Sequence, residues 1–148
     1  MKELYTEVEV DAPPSRVWAV LSNFAQYTEW NPFIQKAEGE PLEGTQLTIH
    51  LFPPGGKPMV FKPTVLKAVA DTELRWLGRF LFPGVFDGEH IFALESLDSG
   101  KRTKLVHKEK FRGILVPLLA GSLDTHTRRG FEAMNQALKK RVEQTERR

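Results

Sequence analysis

The stretch from Phe33 to Phe111 consists of short apolar runs separated by short turn segments. The turn segments are rich in Pro, Gly and Asp, and they include Glu40-Pro41, Pro53-Pro54-Gly55-Gly56, Asp71-Thr72, Pro83-Gly84 and Asp98-Ser99-Gly100. Parallel strands need crossover connections of roughly a dozen residues, which these gaps do not provide. The stretch therefore predicts an antiparallel meander, and together with the alternating run Leu4–Val10 it gives about seven strands.

Two short helices are predicted between the first strand and the meander. Apolar residues recur there at helical spacing, namely at Val17, Val20, Leu21 and Phe24. The preceding segment supplies Asp11 as a candidate N-cap and two prolines suited to a first helical turn. The aromatic stretch Phe24–Pro32 predicts a broken second helix, because a proline disfavours helical backbone at the preceding Asn31. Within the meander, Pro63 predicts a bulge or an edge strand, since it has no N–H for a central ladder.

The last third of the chain, residues 113–148, predicts one long helix that begins near Pro117 or after Gly121. Apolar and small residues recur there every three or four positions, at Leu119, Leu123, Thr127, Gly130, Met134, Leu138 and Val142. A strand, two short helices, a meander and a terminal helix predict an α+β fold in which the helix covers one face of the sheet. We expect the 148 residues to form one domain, spanning positions 1–148.

Composition excludes several classes of protein. Cysteine is absent, so disulfide frameworks, cysteine-based metal sites and cysteine nucleophiles are excluded. The net charge of +2 is too small to indicate a nucleic-acid partner, and no apolar run reaches the roughly 18 residues of a membrane span. The alternating opening has no signal-peptide core, so we expect a cytoplasmic protein. No pattern in the sequence indicates a particular oligomeric state.

Strand alternation places three polar residues, His90, His107 and Glu109, on the inward face of the sheet. The full inward sets are Leu4, Thr6, Val8 and Val10; Leu74, Trp76, Gly78 and Phe80; Phe86, Gly88, His90, Phe92 and Leu94; and Thr103, Leu105, His107, Glu109 and Phe111. The three polar residues come from neighbouring strands and are predicted to converge under the terminal helix. A buried Glu109 needs a partner, which His107 on the same strand does not provide unless the strand twists. The space above them is either a solid core or an apolar cavity.

Three local patterns favour structural roles over chemical ones. Ser122, Asp124 and His126 have the residue types of a catalytic triad, but helical residues two apart do not face each other, and Asp124 is interpreted as a helix cap. The four histidines of the chain lack H-x-x-x-H spacing, so we expect neither a metal nor another cofactor. The segment Gly55-Gly56-Lys57-Pro58 precedes a strand and is interpreted as a hairpin tip, not a phosphate loop.

Two apolar segments are candidates for the rim of a cavity. Ile114–Ala120 is too short to span a bilayer, and Phe80–Pro83 is a second apolar loop. Either the first segment packs over the sheet as the entry to the terminal helix, or the two form lips. Such lips would admit a hydrophobic ligand or make transient contact with a membrane.

The ordered motifs of the chain resemble one family over nearly its whole length. The first set is Ala12-Pro13, Val17-Trp18, Leu21, Tyr27 and Trp30-Asn31-Pro32-Phe33. The second set is Leu74-Arg75-Trp76, Phe86-Asp87-Gly88-Glu89-His90, Phe92, Thr103, Leu105, Glu109, Phe111, Gly113, Arg128-Arg129-Gly130-Phe131 and Met134. Together these motifs are similar to polyketide cyclase/dehydrase-like members of the SRPBCC superfamily, which includes the START and birch-pollen-allergen proteins. The resemblance implies a helix-grip fold, in which a bent antiparallel sheet grips the C-terminal helix around a hydrophobic cavity, and it carries over no catalytic set.

The leading hypothesis is binding or transport of a hydrophobic small molecule, such as a lipid or a polyketide-like ligand, in this cavity. The predicted ligand-binding residues are Trp30, Phe33, Trp76, Phe80, Phe86, His90, Phe92, His107, Glu109, Phe111, Leu119, Leu123 and Met134. A second hypothesis is a cyclase/aromatase- or hydrolase-type enzyme that uses Glu109 with His107 or His90 as general acid and base. A third is a partner-binding module with a filled core.

Overall fold

The computed structural model describes residues 1–80 and 82–146 of the chain. Its strands are β1 (Lys2–Val10), β2 (Ile34–Glu38), β3 (Thr48–Leu51), β4 (Met59–Phe61), β5 (Thr64–Val69), β6 (Glu73–Phe80), β7 (Phe86–Leu97) and β8 (Arg102–Arg112). Its α-helices are α1 (Pro14–Leu21), α2 (Tyr27–Trp30), α3 (Val116–Ser122) and α4 (Arg128–Glu146). Two 3₁₀ turns (Phe24–Gln26 and Asp98–Gly100) and one π turn (Leu123–Thr127) complete the described elements.

The strands pair in antiparallel fashion throughout the described residues, as predicted. The larger sheet has five strands in the order β1-β8-β7-β6-β5, and the smaller has three in the order β2-β3-β4. Helix α4 packs against β1 and β8 of the larger sheet, with α1 and α2 beside it. The predicted α+β helix-grip arrangement is therefore confirmed.

The predicted count of about seven strands is corrected at Pro63. The described residues form eight strands, because the run from Met59 to Ala70 is divided into β4 and β5 at Lys62-Pro63. Pro63 has no N–H, but its carbonyl accepts a hydrogen bond from the Leu47 N–H at 2.7 Å. Both new strands are edge strands, and a register shift follows within β5. The chain therefore passes from the smaller sheet to the larger one at this proline.

The predicted inward faces of the larger sheet are confirmed wherever the side chains are described. All four inward residues of β1 are buried, and so are Leu74, Trp76, His90, Phe92, Leu94, Thr103, Leu105, His107 and Phe111. Glu109, Phe86 and Gly78 are partly buried, while Gly88 is buried. The side chain of Phe80 lies outside the described residues. The face that these residues form is covered by α4 at one end only.

The terminal helical segment begins at Val116 and contains a π turn, whereas the sequence predicted an uninterrupted helix. Most of the predicted stripe faces inward, with Leu123, Gly130, Met134, Leu138 and Val142 buried, whereas Thr127 is partly buried and Leu119 is exposed. The prediction that Asp124 caps a helix was wrong, because Asp124 lies inside the continuous helical segment and forms ion pairs with Lys2 and Arg128. None of the described helices combines the length and the apolar composition that a membrane span requires.

The N-terminal helices lie where the sequence placed them. Helix α1 buries Val17 and Leu21, and a 3₁₀ turn followed by the single turn of α2 forms the predicted broken second helix. Asp11 is not the N-cap of α1, because Pro13 occupies that position and no side chain caps it. The backbone N–H of Asp11 instead donates to a Glu143 carboxylate oxygen at 2.8 Å. This bond ties the end of β1 to α4.

Helix α4 packs at Gly130 directly against the turn that precedes β2. The turn after α2 is held by Asn31, whose Oδ1 accepts hydrogen bonds from the N–H groups of Phe33 (3.0 Å) and Ile34 (2.9 Å). This turn holds the buried Phe33 ring directly against Gly130, where a Cβ atom would overlap the ring. Phe33 also packs edge to face on Phe131, with ring centroids 5.6 Å apart. The absence of a side chain at Gly130 therefore determines how closely α4 packs against the Phe33 ring.

We predict that Gly130→Ala destabilises the protein by about 1–3 kcal/mol, the usual result of overpacking a core. Gly121→Ala is the matched control, because a Cβ atom there meets nothing within 4 Å. Alanine favours helix over glycine by up to about 1 kcal/mol, so the control is expected to be as stable as the parent or more so. Urea unfolding measures both free energies, and a Gly130→Ala protein as stable as the parent would contradict the close contact.

Candidate functional site

A cavity of about 480 Å³ lies between the helical segment and the sheet, beyond the region covered by α4. Its walls come from the β3–β4 hairpin, the central strands β6 to β8, and the α3 end of the helical segment. Among the described residues they consist of Ile49, Leu51, Pro53, Gly55, Gly56, Lys57, Met59, Phe61, Pro63, Trp76, Gly78, Phe86, Gly88, His90, Glu109, Phe111, Leu119, Ser122, Leu123, His126 and Thr127. Most of this lining is apolar, so the cavity favours an apolar occupant.

Two glycines on neighbouring strands leave room for the cavity. Gly78 of β6 and Gly88 of β7 are directly paired across the sheet. At Gly88 a Cβ atom would overlap Oε2 of Glu109, whereas at Gly78 the nearest contact would be an ordinary 3.7 Å to Pro63. Side chains at these positions would occupy the floor of the cavity. Gly88 therefore also determines where the Glu109 carboxylate can lie.

The β3–β4 hairpin closes the cavity on the side away from α4. Ile49 and Leu51 of β3 and Met59 and Phe61 of β4 contribute apolar side chains to the wall. The tip of the hairpin reaches the π turn, since a Cβ atom at Gly55 would lie 3.3 Å from the His126 ring. The interpretation of residues 55–58 as a hairpin tip is confirmed, and the tip forms part of the cavity rim.

The first predicted lip segment begins beside Gly84 and Val85, which follow the second segment, and Leu81 of the second segment lies outside the described residues. The N–H groups of Ile114 and Leu115 donate to the carbonyls of Gly84 and Val85 at 3.1 Å each. Their large side chains are strongly exposed, with Phe82 at 70%, Ile114 at 75% and Leu118 at 80%. The alternative prediction was that the run Ile114–Ala120 packs over the sheet. Val116 is buried in that way, but these exposed side chains are not. The lips adjoin the cavity through Leu119, which lines it.

The polar residues of the site form one chain of polar contacts that runs from the cavity into the core. Glu109 and His90 are directly opposite each other on β8 and β7, and Glu109 Oε1 lies 3.4 Å from His90 Nδ1. The two histidine Nε2 atoms of His90 and His107 are 2.7 Å apart. The predicted convergence of the three residues is confirmed. The partner that Glu109 requires is His90 on the neighbouring strand.

The chain continues beyond His107 through two residues that were not among the predicted site residues. His107 Nδ1 lies 2.7 Å from Asn135 Oδ1 on α4, and Asn135 Nδ2 donates to Thr6 Oγ1 at 2.9 Å. The Thr6 hydroxyl donates to the backbone carbonyl of His107 at 2.6 Å. Each buried polar atom named here therefore has a partner.

Aromatic rings enclose the two histidines. His107 stacks on Phe131, with ring centroids 4.1 Å apart and an interplanar angle of 12°, and it contacts Phe92 at 4.4 Å. His90 contacts Phe92 at 4.8 Å and Trp76 at 5.0 Å. Burial in this surrounding, with a further contribution from His90, holds the pKa of His107 well below its ordinary value. His107 is therefore neutral near pH 7.

Seven of the predicted ligand-binding residues line the cavity, namely Trp76, Phe86, His90, Glu109, Phe111, Leu119 and Leu123. Four others lie in the packed core and not on the wall, namely Phe33, Phe92, His107 and Met134. Trp30 borders a separate shallow depression near α2, and the side chain of Phe80 lies outside the described residues. His107 thus reaches the cavity only through His90, and of the two predicted histidine partners of Glu109 only His90 makes the contact.

Two sets of residues were missed by sequence reasoning. The β3–β4 wall was assigned no ligand contact, although the period-two pattern of Leu47, Ile49 and Leu51 marks an inward face. Asn135 carries a weaker signal, as a polar residue on the face of α4 that also bears Phe131 and Leu138. Such a residue needs a buried partner, and only the fold shows which one.

Ser122 and His126 are four residues apart, which is about one helical turn, so their side chains can meet although those of residues two apart cannot. Ser122 Oγ lies 3.4 Å from His126 Nδ1, and both residues line the cavity rim. Asp124 points elsewhere, to Lys2 and Arg128, so the three do not form a triad. Among the described residues no group of histidine, aspartate or glutamate side chains is arranged to hold a metal ion.

The buried, neutral His107 makes stability depend on pH. Because the pKa of His107 is lowered in the folded state, the unfolded chain binds a proton that the folded protein does not, once the pH falls below about 6.5. Stability is therefore fully present above that pH and is lost as the pH falls. The expected slope from this residue is about 1 kcal/mol per pH unit. Urea unfolding from pH 7.5 to pH 5 checks it, and His107→Gln should show a shallower slope; equal slopes would contradict the assignment.

Comparison with known proteins agrees with the fold. A structure described as the Zhui aromatase/cyclase from Streptomyces sp. R1128 has a TM-score of 0.77 at 20% identity, covering 97% of this chain and 94% of that one. A START superfamily protein from Mycobacterium smegmatis has a TM-score of 0.70 at 23% identity, covering 97% and 98%. Norcoclaurine synthase from Thalictrum flavum, in complex with dopamine and hydroxybenzaldehyde, has a TM-score of 0.72 at 16% identity, covering 97% and 87%.

No curated protein matches this chain. A family model, however, covers almost all of it. The family model described as polyketide cyclase / dehydrase and lipid transport matches residues 1–143, a span that contains every wall residue named above and the whole polar chain. By this match, the chain belongs to the polyketide cyclase / dehydrase and lipid transport family.

Proposed function

We propose that this protein binds a hydrophobic, ring-containing small molecule in its cavity, with one polar group of the ligand at His90 and Glu109. The observation that carries the proposal is the cavity of about 480 Å³, whose lining is apolar except for a few residues. Ligand sites typically enclose about 300–1,000 Å³ and combine apolar walls with a small number of polar groups. The cavity has both properties.

The wall favours flat rings. Phe86 and Phe111 stack on each other with centroids 5.5 Å apart, and Trp76 lines the same space. Aromatic side chains bury large areas and pack well against other rings. The family description includes both cyclases and lipid transport, and one of the similar folds holds two aromatic molecules, dopamine and hydroxybenzaldehyde. These observations support a cyclic, polyketide-like ligand or a lipid with a ring system.

Filling the cavity is expected to abolish binding. In Gly78→Leu the new side chain occupies the cavity floor, so N-phenyl-1-naphthylamine, a neutral fluorescent probe, should bind about tenfold more weakly or not at all. Gly121→Leu is the matched control, since position 121 is exposed and lies outside the wall. Fluorescence titration measures both affinities. The proposal fails if the unmodified protein does not bind the probe, or if Gly78→Leu binds it as tightly as the control.

A second candidate function is proton transfer on a bound ketone, favoured by the contact between Glu109 and His90 at the wall. In the charged form of the pair, the Glu109 carboxylate takes a proton from the carbon next to a carbonyl group. The His90 imidazolium gives a proton to the carbonyl oxygen. The ketone becomes an enol, the pair becomes a neutral carboxylic acid and a neutral imidazole, and the reverse step restores both. Enolisation of this kind is a step available to a cyclase.

This candidate predicts exchange of deuterium into a ketone. In D₂O the protein should accelerate exchange at the α-carbon of 1-tetralone, and Glu109→Gln should lower that acceleration by about 10²-fold, because the amide is not a base. Glu95→Gln is the control, since Glu95 is exposed on the other face of β7. Proton NMR follows the exchange. Equal rates in the two variants would exclude Glu109 as the base.

A further inference from the structure

We propose that Asn135 is a positioning residue that fixes the proton positions of both buried histidines, so that the Nε2 hydrogen of His90 points into the core and His90 Nδ1 is the ring atom that faces Glu109 at the cavity wall. This inference deepens the proposed function. It rests on that function only for the class of ligand, because the proton positions follow from contacts within the protein. Asn135 contacts neither the cavity nor Glu109 and acts through His107.

The assignment begins at the buried end of the chain, at Thr6. The backbone carbonyl of His107 only accepts hydrogen bonds, so the Thr6 hydroxyl, 2.6 Å away, spends its single hydrogen there. Thr6 Oγ1 therefore accepts from Asn135, which must present its NH₂ group at 2.9 Å. The amide orientation of Asn135 is thus determined by the network itself. Its oxygen necessarily faces His107.

The same reasoning fixes His107. Because the Asn135 oxygen lies 2.7 Å from His107 Nδ1, that nitrogen carries a hydrogen. Burial among aromatic rings keeps His107 neutral, so its other nitrogen, Nε2, carries a lone pair. At a separation of 2.7 Å, His90 Nε2 must then donate to it. The hydrogen of His90 is therefore held on the nitrogen that points away from Glu109.

The polar atoms at the cavity wall are then His90 Nδ1 and the Glu109 carboxylate. His90 Nδ1 lies 3.4 Å from Glu109 Oε1. The second oxygen, Oε2, lies over Gly88 beside the cavity. A ligand hydroxyl that donates a hydrogen bond matches this arrangement. The ligand class is therefore phenols and enols, and not purely hydrocarbon rings.

The position of Asn135 on α4 supports a specific role. It is buried on the helix face that also carries Phe131, Leu138 and Val142, where an apolar side chain would pack without needing partners. A polar side chain there is retained at a cost in desolvation. The amide nitrogen of Asn135 donates to Thr6 Oγ1, and its amide oxygen accepts from His107 Nδ1. An apolar residue can make neither hydrogen bond.

The first test reads the tautomers directly. In protein labelled with ¹⁵N-histidine, long-range ¹H–¹⁵N correlation spectra distinguish a ring protonated at Nδ1 from one protonated at Nε2. We expect His107 in the Nδ1–H form, and we expect Asn135→Leu to lose that fixed form and to shift the His90 signals as well. Thr6→Val should have the same effect, whereas Thr6→Ser, which keeps the hydroxyl, should preserve the parent spectrum. The Thr6 pair decides the question if Asn135→Leu does not fold.

The second test compares 2-naphthol with naphthalene in each variant, so that naphthalene serves as the internal reference for the apolar cavity. The parent should prefer 2-naphthol, and in Asn135→Leu that preference should fall by about fivefold, equivalent to the loss of one hydrogen bond. His107 in the Nε2–H form, or unchanged histidine signals in both Asn135→Leu and Thr6→Val, would overturn the proposal. If neither compound binds, the proposed function fails, while the spectra still decide the role of Asn135.

Discussion

The close approach of α4 to the Phe33 ring at Gly130 is the contact on which the rest of the structure depends. It holds α4 against the turn before β2, next to Phe131, which contacts both histidines and stacks on His107. Under α4, the inward side chains of β1 and the buried residues of α4 form a packed core. Beyond it the helical segment passes through the π turn and the chain crosses between the two sheets at Pro63, and the cavity lies in this region, with Pro63 and Thr127 in its lining. Core and cavity are therefore adjacent parts of one interface.

This division explains which site residues the sequence could predict. Alternation along β7 and β8 gave the inward faces correctly, including the opposition of His90 and Glu109, because a strand with one buried face has a fixed period of two. Alternation does not say how far the helix lies from each inward residue. Phe33 and Phe92 were therefore assigned to the cavity, although they lie in the packed core, and so was Met134, which α4 itself carries into that core.

The remaining errors have local physical causes. A proline inside an apolar run ends the ladder hydrogen bonds, so one predicted strand became two. Asp11 and Asp124 have the chemistry of helix caps, but Asp11 lies two residues before the cap position, which Pro13 occupies, and the helical segment that contains Asp124 begins earlier, at Val116. Asn135 and Thr6 are 129 positions apart, and a hydrogen bond over that separation leaves no local pattern in the sequence.

The π turn at Leu123–Thr127 alters the rotational phase of the helical segment. A π turn accommodates one residue more than an α turn, and each residue of an α-helix rotates the chain by about 100°. If the segment were uniformly α-helical, the side chains before the turn would be rotated by that angle relative to the buried face of α4. Leu119 would then leave the cavity wall, and one of the exposed neighbours beside the lips would replace it. The π turn thus lets one helical segment direct apolar side chains both to the packed core and to the cavity wall.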